Sequence, residues 1–195
     1  MRLLSATLTL TLLAAACTAG AASLPAPHQV DIPASGGLTL HAQLYKPDGD
    51  GPFPTVIALH GCGGLGDPAE PVKRRYRDWA ELLLKDGKAV LLPDSYGSRE
   101  LGPQCRVSER RILARRERVT DIMASRQWLL QQPWTARDRI SLMGWANGAS
   151  ALLWAVRRNR RRARSSRISA PRSRSIRTAG SRPASDGARG FRRCC

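Results

Sequence analysis

Residues 144–148 read Gly-Trp-Ala-Asn-Gly. A G-x-S-x-G turn between a strand and a helix is so sharp that side chains at its glycine positions would clash. Its central residue is thrown out above the sheet edge, and the N–H of the next residue points at a developing oxyanion. The chemistry of that arrangement is attack by a hydroxyl or thiol on an acyl carbon. Here the central residue is Ala146, which has neither group and forms no acyl-enzyme. In this reading Asn147 supplies the oxyanion donor. The plain alternative is an ordinary glycine-flanked turn. Ser150, one helical turn on, is expected to lie along the helix instead of in a cleft. A second constellation is His60-Gly-Cys62. Cys62 beside His60 is either a Cys–His pair or, in an oxidising compartment, a disulfide partner for Cys105. His60 itself reads most simply as a loop-packing residue beside the site.

These residues need a scaffold, and the surrounding pattern supplies one. Residues 29–46 alternate apolar and polar around Gly36-Gly37, which predicts a hairpin. Thr55–Leu59, Lys88–Leu92 and Arg139–Met143 are short apolar runs, the signature of strands buried on both faces. Between them lie two helical patterns. One is expected to open at Asp67-Pro68-Ala69-Glu70, with Asp67 as the cap, and to close at Gly87. It carries Val72, Tyr76, Trp79, Ala80, Leu83 and Leu84. The other is expected over residues 109–132, with Val119, Ile122, Met123, Leu129 and Leu130 inward. Arg110, Arg111, Arg115, Arg116 and Arg118 are read there as a solvated face. Ala149 to Val156 is a third helix. Strands alternating with helices mean parallel pairing through crossovers, hence an open α/β sheet with its site at the carboxyl ends of the strands. The loops at those ends are His60–Gly64, Asp94–Gly102 and Gly144–Gly148.

The sequence has 195 residues and a formal net charge of +17, but the charge is uneven. From Arg157 to Cys195 there are fourteen Arg, no Lys and one acid, Asp186. The first 156 residues hold 18 cations against 14 acids. The basic character therefore belongs to the last segment, and the body gives no reason to expect specific nucleic-acid binding. With 42% hydrophobic residues in the whole chain, the body is neither a disordered nor a fibrous sequence. It also lacks the repeated long apolar runs of a multi-span membrane protein.

Residues 1–22 read as an address. One cation, Arg2, precedes an apolar run from Leu3 to Ala16, shorter than the about 20 residues of a comfortable span. Ala19-Gly20-Ala21 is a small-x-small cleavage site for soluble export. Ala14-Ala15-Ala16-Cys17 is similar to a lipobox, in which Cys17 would carry lipid. Both readings place the body outside the cytoplasm, in the periplasm or at the envelope.

Four segments carry a family resemblance: His60-Gly-Cys-Gly-Gly-Leu65, Pro93-Asp-Ser-Tyr-Gly-Ser-Arg99, Gln127-Trp-Leu-Leu-Gln-Gln-Pro133 and Arg139-Ile-Ser-Leu-Met-Gly-Trp-Ala-Asn-Gly148. Over residues 28–156 the chain resembles the N-terminal portion of the dienelactone hydrolase family of α/β-hydrolases, in its exported bacterial branch. The resemblance implies a partial α/β-hydrolase fold, hydrolysis of a small-molecule ester or lactone, and no metal or cofactor. It puts the nucleophile position on Ala146, the oxyanion donors on Asn147 and Cys62, and substrate contacts on Arg99 and His60. Arg99 matches an arginine that in the family holds a substrate carboxylate. The family's Asp and His follow the elbow, whereas the only histidines here are His28, His41 and His60. The chain as it stands is therefore expected to be inactive. The rival reading is a non-catalytic binding protein, using either the cleft or the polycationic segment.

After Val156 the apolar periodicity stops, and residues 157–195 are expected to be a disordered Arg/Ser-rich tail. Three readings of it stay open: out-of-frame translation of a GC-rich gene, a true polycation that contacts anionic lipid or another polyanion, or a truncation product.

Overall fold

The computed structural model describes residues 26–169. The expected signal peptide and Cys17 lie outside them, as do residues 170–195 of the Arg-rich segment.

The first two strands form the predicted hairpin: β1 (His28–Pro33) pairs antiparallel with β2 (Thr39–Tyr45). One turn of 3-10 helix joins them, and Gly36 and Gly37 take positive φ there. Then follow β3 (Phe53–Leu59), α1 (Arg74–Lys85), β4 (Ala89–Pro93), α2 (Glu117–Leu129), β5 (Thr135–Gly144) and α3 (Asn147–Ser169). The sheet order is β1-β2-β4-β3-β5. β2 and β4 are antiparallel, while β3 runs parallel to both β4 and β5. This is an open, mixed α/β sheet, with two antiparallel and two parallel pairings; the parallel part, β4-β3-β5, is the part that the strand–helix alternation requires. The carboxyl ends of β3, β4 and β5 meet at one edge and carry the three glycine-bearing loops.

Two apolar clusters hold the layers. Ile57, Leu59 and Leu91 pack on one sheet face against Val119, Ile122 and Leu129 of α2 and Ala151 and Ala155 of α3. Val56, Ala58, Val90 and Leu92 pack on the other face against Tyr76, Ala80 and Leu84 of α1. Consecutive residues of β3 and β4 thus serve opposite layers, which is why those strands read as unbroken apolar runs.

Four expectations need correction. Helix α1 starts at Arg74, not near Asp67. Asp67 does cap, since its Oδ1 accepts the N–H groups of Ala69 and Glu70 at 3.0 and 2.9 Å, but the capped turn closes on itself and no helix follows. Helix α2 starts at Glu117, and residues 109–116 before it form bends and turns, with Ile112 buried. Its first turn is tied by Glu117 Oε2, which accepts the Leu113 N–H at 2.8 Å. Strand β5 is the sheet's edge among the described residues, and only Thr135 and Ala136 in it are buried. Helix α3 continues through Ser169, beyond the Val156 at which the third helix is expected to end. The chain separates into two units at Asn159/Arg160, and of the second only the helical segment to Ser169 is described.

Candidate active site

The turn after β5 has the elbow's geometry, for steric reasons that can be named. A Cβ on Gly148 would lie 2.2 Å from the Leu59 carbonyl oxygen, and one on Gly144 would lie 2.7 Å from the Gly148 carbonyl carbon. Neither position admits a side chain. Between them Ala146 sits at φ +46°, in the left-handed region that L-residues other than Asn and Asp avoid. The Trp145 N–H donates to the Leu59 carbonyl at 3.1 Å and anchors the turn to the end of β3. Ala146 is exposed at the apex. Its methyl lies 3.7 Å from where a Cβ on Gly61 would stand, so the loop after β3 borders it directly.

Asn147 opens α3, where the first N–H groups of a helix lack intrahelical acceptors. Its side chain points the other way, into the protein. Asn147 Oδ1 accepts from Arg118 Nη1 at 2.9 Å and from the Tyr96 hydroxyl at 3.2 Å. The Arg118 guanidinium also stands over the Tyr96 ring, 5.4 Å from its centroid. Arg118 is wholly buried, against the expectation of a solvated face. Burial lowers its pKa and the nearby Tyr96 and Asp121 oppose that shift. Its Nε and Nη2 have no hydrogen-bond partner among the described residues.

His60 is buried and fully engaged. Its Nδ1–H donates to the Gly61 carbonyl at 2.8 Å, and its Nε2 accepts the Ser95 N–H at 3.2 Å. That pattern belongs to a neutral ring. Burial, followed by the charge of Arg118, lowers its pKa to about 3. The Asp94 carboxylate 3.6 Å from Nε2 is therefore not an ion-pair partner. With both nitrogens occupied, His60 packs edge-on to Tyr96 and makes no approach to substrate as a base.

Cys62 and Cys105 are joined by a disulfide, which removes Cys62 from any Cys–His pair. The bridge ties the loop after β3 to the loop after β4, and the Gln104 N–H donates to the Cys62 carbonyl at 2.7 Å beside it. The neighbouring Gly61 N–H donates to the Tyr76 hydroxyl at 2.9 Å, which takes it out of use as a donor to a ligand. Ser150 bonds back along its helix, its N–H donating to the Ala146 carbonyl at 3.0 Å.

Arg99 is placed differently from a free carboxylate receptor. Its Nη1 and Nη2 bind the two oxygens of buried Asp121 at 3.0 and 2.7 Å, and Nη1 also donates to the Ser95 carbonyl at 2.7 Å. The guanidinium is already neutralised in bidentate fashion. The structure thus brings Ala146, Asn147, His60 and Cys62 together at one edge and withdraws Arg99 into an internal ion pair. Among the described residues no group of three His, Cys, Asp or Glu is placed to hold a metal, and no helix is long and apolar enough to cross a membrane.

Sequence reasoning missed the parts that Arg118, Tyr96, Tyr76 and Asp121 play at this edge. For Arg118 a signal was present. Arg118, Ile122, Ser125 and Leu129 follow one another at helical spacing, and all four are buried.

The comparisons agree with this architecture. The prolyl oligopeptidase family model matches residues 75–165. No curated protein matches the chain. Among solved structures, a dienelactone hydrolase from Anabaena variabilis superposes with a TM-score of 0.54 at 23% identity, over 71% of this chain and 60% of its own. The carboxylesterase EstE1, cloned from a metagenomic library, gives 0.52 at 23% identity, over 73% of this chain and 44% of its own. The dipeptidyl peptidase 4 of Porphyromonas gingivalis gives 0.52 at 19% identity, over 68% of this chain and 19% of its own. The chain spans less than two thirds of each of these relatives. Sheet order, elbow and structural neighbours together give this chain an α/β-hydrolase-like fold, with the elbow in place and alanine at its apex.

Proposed function

We propose that this chain carries the oxyanion-binding half of a dienelactone hydrolase-like ester or lactone site, and that it binds such a small molecule without turning it over through an acyl-enzyme. The observation that carries the reading is Ala146: the apex of a sterically closed elbow, exposed at φ +46°, and bearing only a methyl group. The N–H groups of Asn147 and Cys62 are the donors that would face a carbonyl oxygen there. None of the chain's three histidines offers a base: His60 is buried with both nitrogens used, and His28 and His41 lie on β1 and β2, away from the elbow. The disulfide supports export to an oxidising compartment. The polycationic segment contacting anionic lipid remains the rival use of the chain.

The test is incubation with p-nitrophenyl acetate, followed by release of nitrophenolate and by intact mass. The expected result is no burst and no acetyl adduct on the protein. A stoichiometric burst with an adduct on any residue of 144–150 would overturn the reading. Ala146→Ser is expected to remain without sustained turnover, because a serine there still lacks a base.

A further inference from the structure

One cavity among the described residues does not belong to the elbow. It holds about 470 Å³, within the roughly 300–1,000 Å³ typical of small-molecule sites. Ala146, Asn147 and Cys62 are absent from its walls, and its floor is Gln29 of β1 with His41 and Gln43 of β2. One wall is the loop after β3, contributing Leu65, Pro68 and Pro71. The other is the loop after β4, contributing Leu101 and Pro103. The Cys62–Cys105 bridge joins these two loops and fixes their separation. The walls are apolar, and prolines make them stiff.

The charged groups at the rim decide what fits. Two acids line the cavity, Asp94 and Asp67, and one oxygen of each is held by backbone donors. Asp94 Oδ1 accepts the N–H groups of Tyr96 and Gly97 at 3.1 and 2.9 Å. Asp67 Oδ1 accepts those of Ala69 and Glu70 at 3.0 and 2.9 Å. Lys73 is different. Its ammonium carries three donors, and the Gly63 carbonyl takes one. His41 presents a further polar edge, its Nδ1 held by Asp31 Oδ1 at 2.7 Å and its Nε2 left over. The half-buried lysine is thus the charge in the cavity with donors to spare.

We propose that this cavity is a binding site for a small organic carboxylate. The apolar body lies between the Leu65–Pro71 and Leu101–Pro103 walls, and the carboxylate is held by Lys73. The site is independent of the elbow and does not rest on the hydrolase reading.

The experiment is a titration of the ¹⁵N-labelled full chain with 3-phenylpropionate, and in parallel with the uncharged 3-phenylpropan-1-ol. The expected result is saturable amide shifts confined to residues 65–73, 97–103 and 41–43, with the alcohol at least about tenfold weaker. Lys73→Met should weaken the acid about tenfold and leave the alcohol unchanged, as loss of one charge-assisted contact requires. Gln43→Trp, which fills the floor and spares the lysine, should abolish both. It keeps the test open should Lys73→Met fail to fold. The proposal is overturned by shifts centred on 144–148, by equal affinity for acid and alcohol, or by no saturable shift at all.

Discussion

Arg118 Nη1 donates to Asn147 Oδ1 at 2.9 Å, so a guanidinium with no exposure to solvent is tied to the residue that follows the elbow's apex. The buried carboxylate of Asp121, three residues on in α2, is taken by Arg99. Arg118 is therefore a buried cation held by an amide oxygen and an aromatic face, without an ion pair among the described residues. A charge in that position is weak support for stability, and an apolar side chain of similar volume is often as good. Arg118→Met should therefore stay within about 1 kcal/mol of the parent, whereas Arg118→Ala, which leaves a cavity, should lose about 3 kcal/mol. Urea denaturation of both variants checks this. Equal losses would mean that the charge itself, not its volume, holds the elbow.

The elbow's glycines and its alanine make opposite predictions. Gly148→Ala would place a methyl against the Leu59 carbonyl at the end of β3, a contact that only backbone movement relieves. It should lose several kcal/mol. Ala146→Gly at φ +46° should be neutral or gain up to about 1 kcal/mol, because glycine accepts that conformation without strain. Ala146→Val should be destabilised. In thermal melts Ala146→Gly should stand at or above the parent and Ala146→Val below it, with Gly148→Ala lowest of all.

Much of this was legible before the structure. The period-2 hairpin and the apolar runs of β3 and β4 point to the sheet, since residues that serve both layers cannot alternate. The spacing of two glycines points to the elbow. Reading failed where residue type was weighed above spacing. Arginines mostly face solvent, yet Arg118 shares its helical face with Ile122, Ser125 and Leu129. Asp67 has capping chemistry, but a cap requires only two free N–H groups, and a closed turn provides them as well as a helix does. Arg99 matched a family position, yet its partner Asp121 lies 22 residues on, and only the tertiary fold brings the two together. The end of α3 is not readable from apolar periodicity, because residues 157–169 hold a single large apolar residue, Ile168, and so no stripe.

The disulfide between Cys62 and Cys105 closes a loop of 43 residues' separation. Restricting the unfolded chain by a loop of that length contributes about 4 kcal/mol when the folded geometry is undisturbed. Reduction with dithiothreitol, or Cys62→Ser with Cys105→Ser, should lower the melting temperature markedly. It should also broaden the amide signals of residues 62–73 and 97–105, the two loops that the bridge joins. An unchanged melt on reduction would show that the loops are held by Gln104 N–H and the apolar walls alone.

His60 makes the acid limb of the stability curve. Its folded pKa is lowered to about 3 by burial, from an unfolded value of 6.5. Between those values the unfolded chain binds a proton that the folded chain refuses. Stability is therefore full above about pH 6.5 and falls as pH drops toward about 3, at up to roughly 1.4 kcal/mol per pH unit from this one group. Below about pH 3 the folded state also takes the proton and the loss from His60 stops. Glu117, whose carboxyl is lowered overall by its hydrogen bonds despite opposing desolvation, adds a further loss only at the acid end of this range. His60→Asn removes the titrating ring, and its stability should be flatter between pH 6.5 and 4 than that of the parent. Urea midpoints at half-unit steps would show it; parallel curves for parent and variant would mean that His60 is protonated in the fold and faces a charge partner.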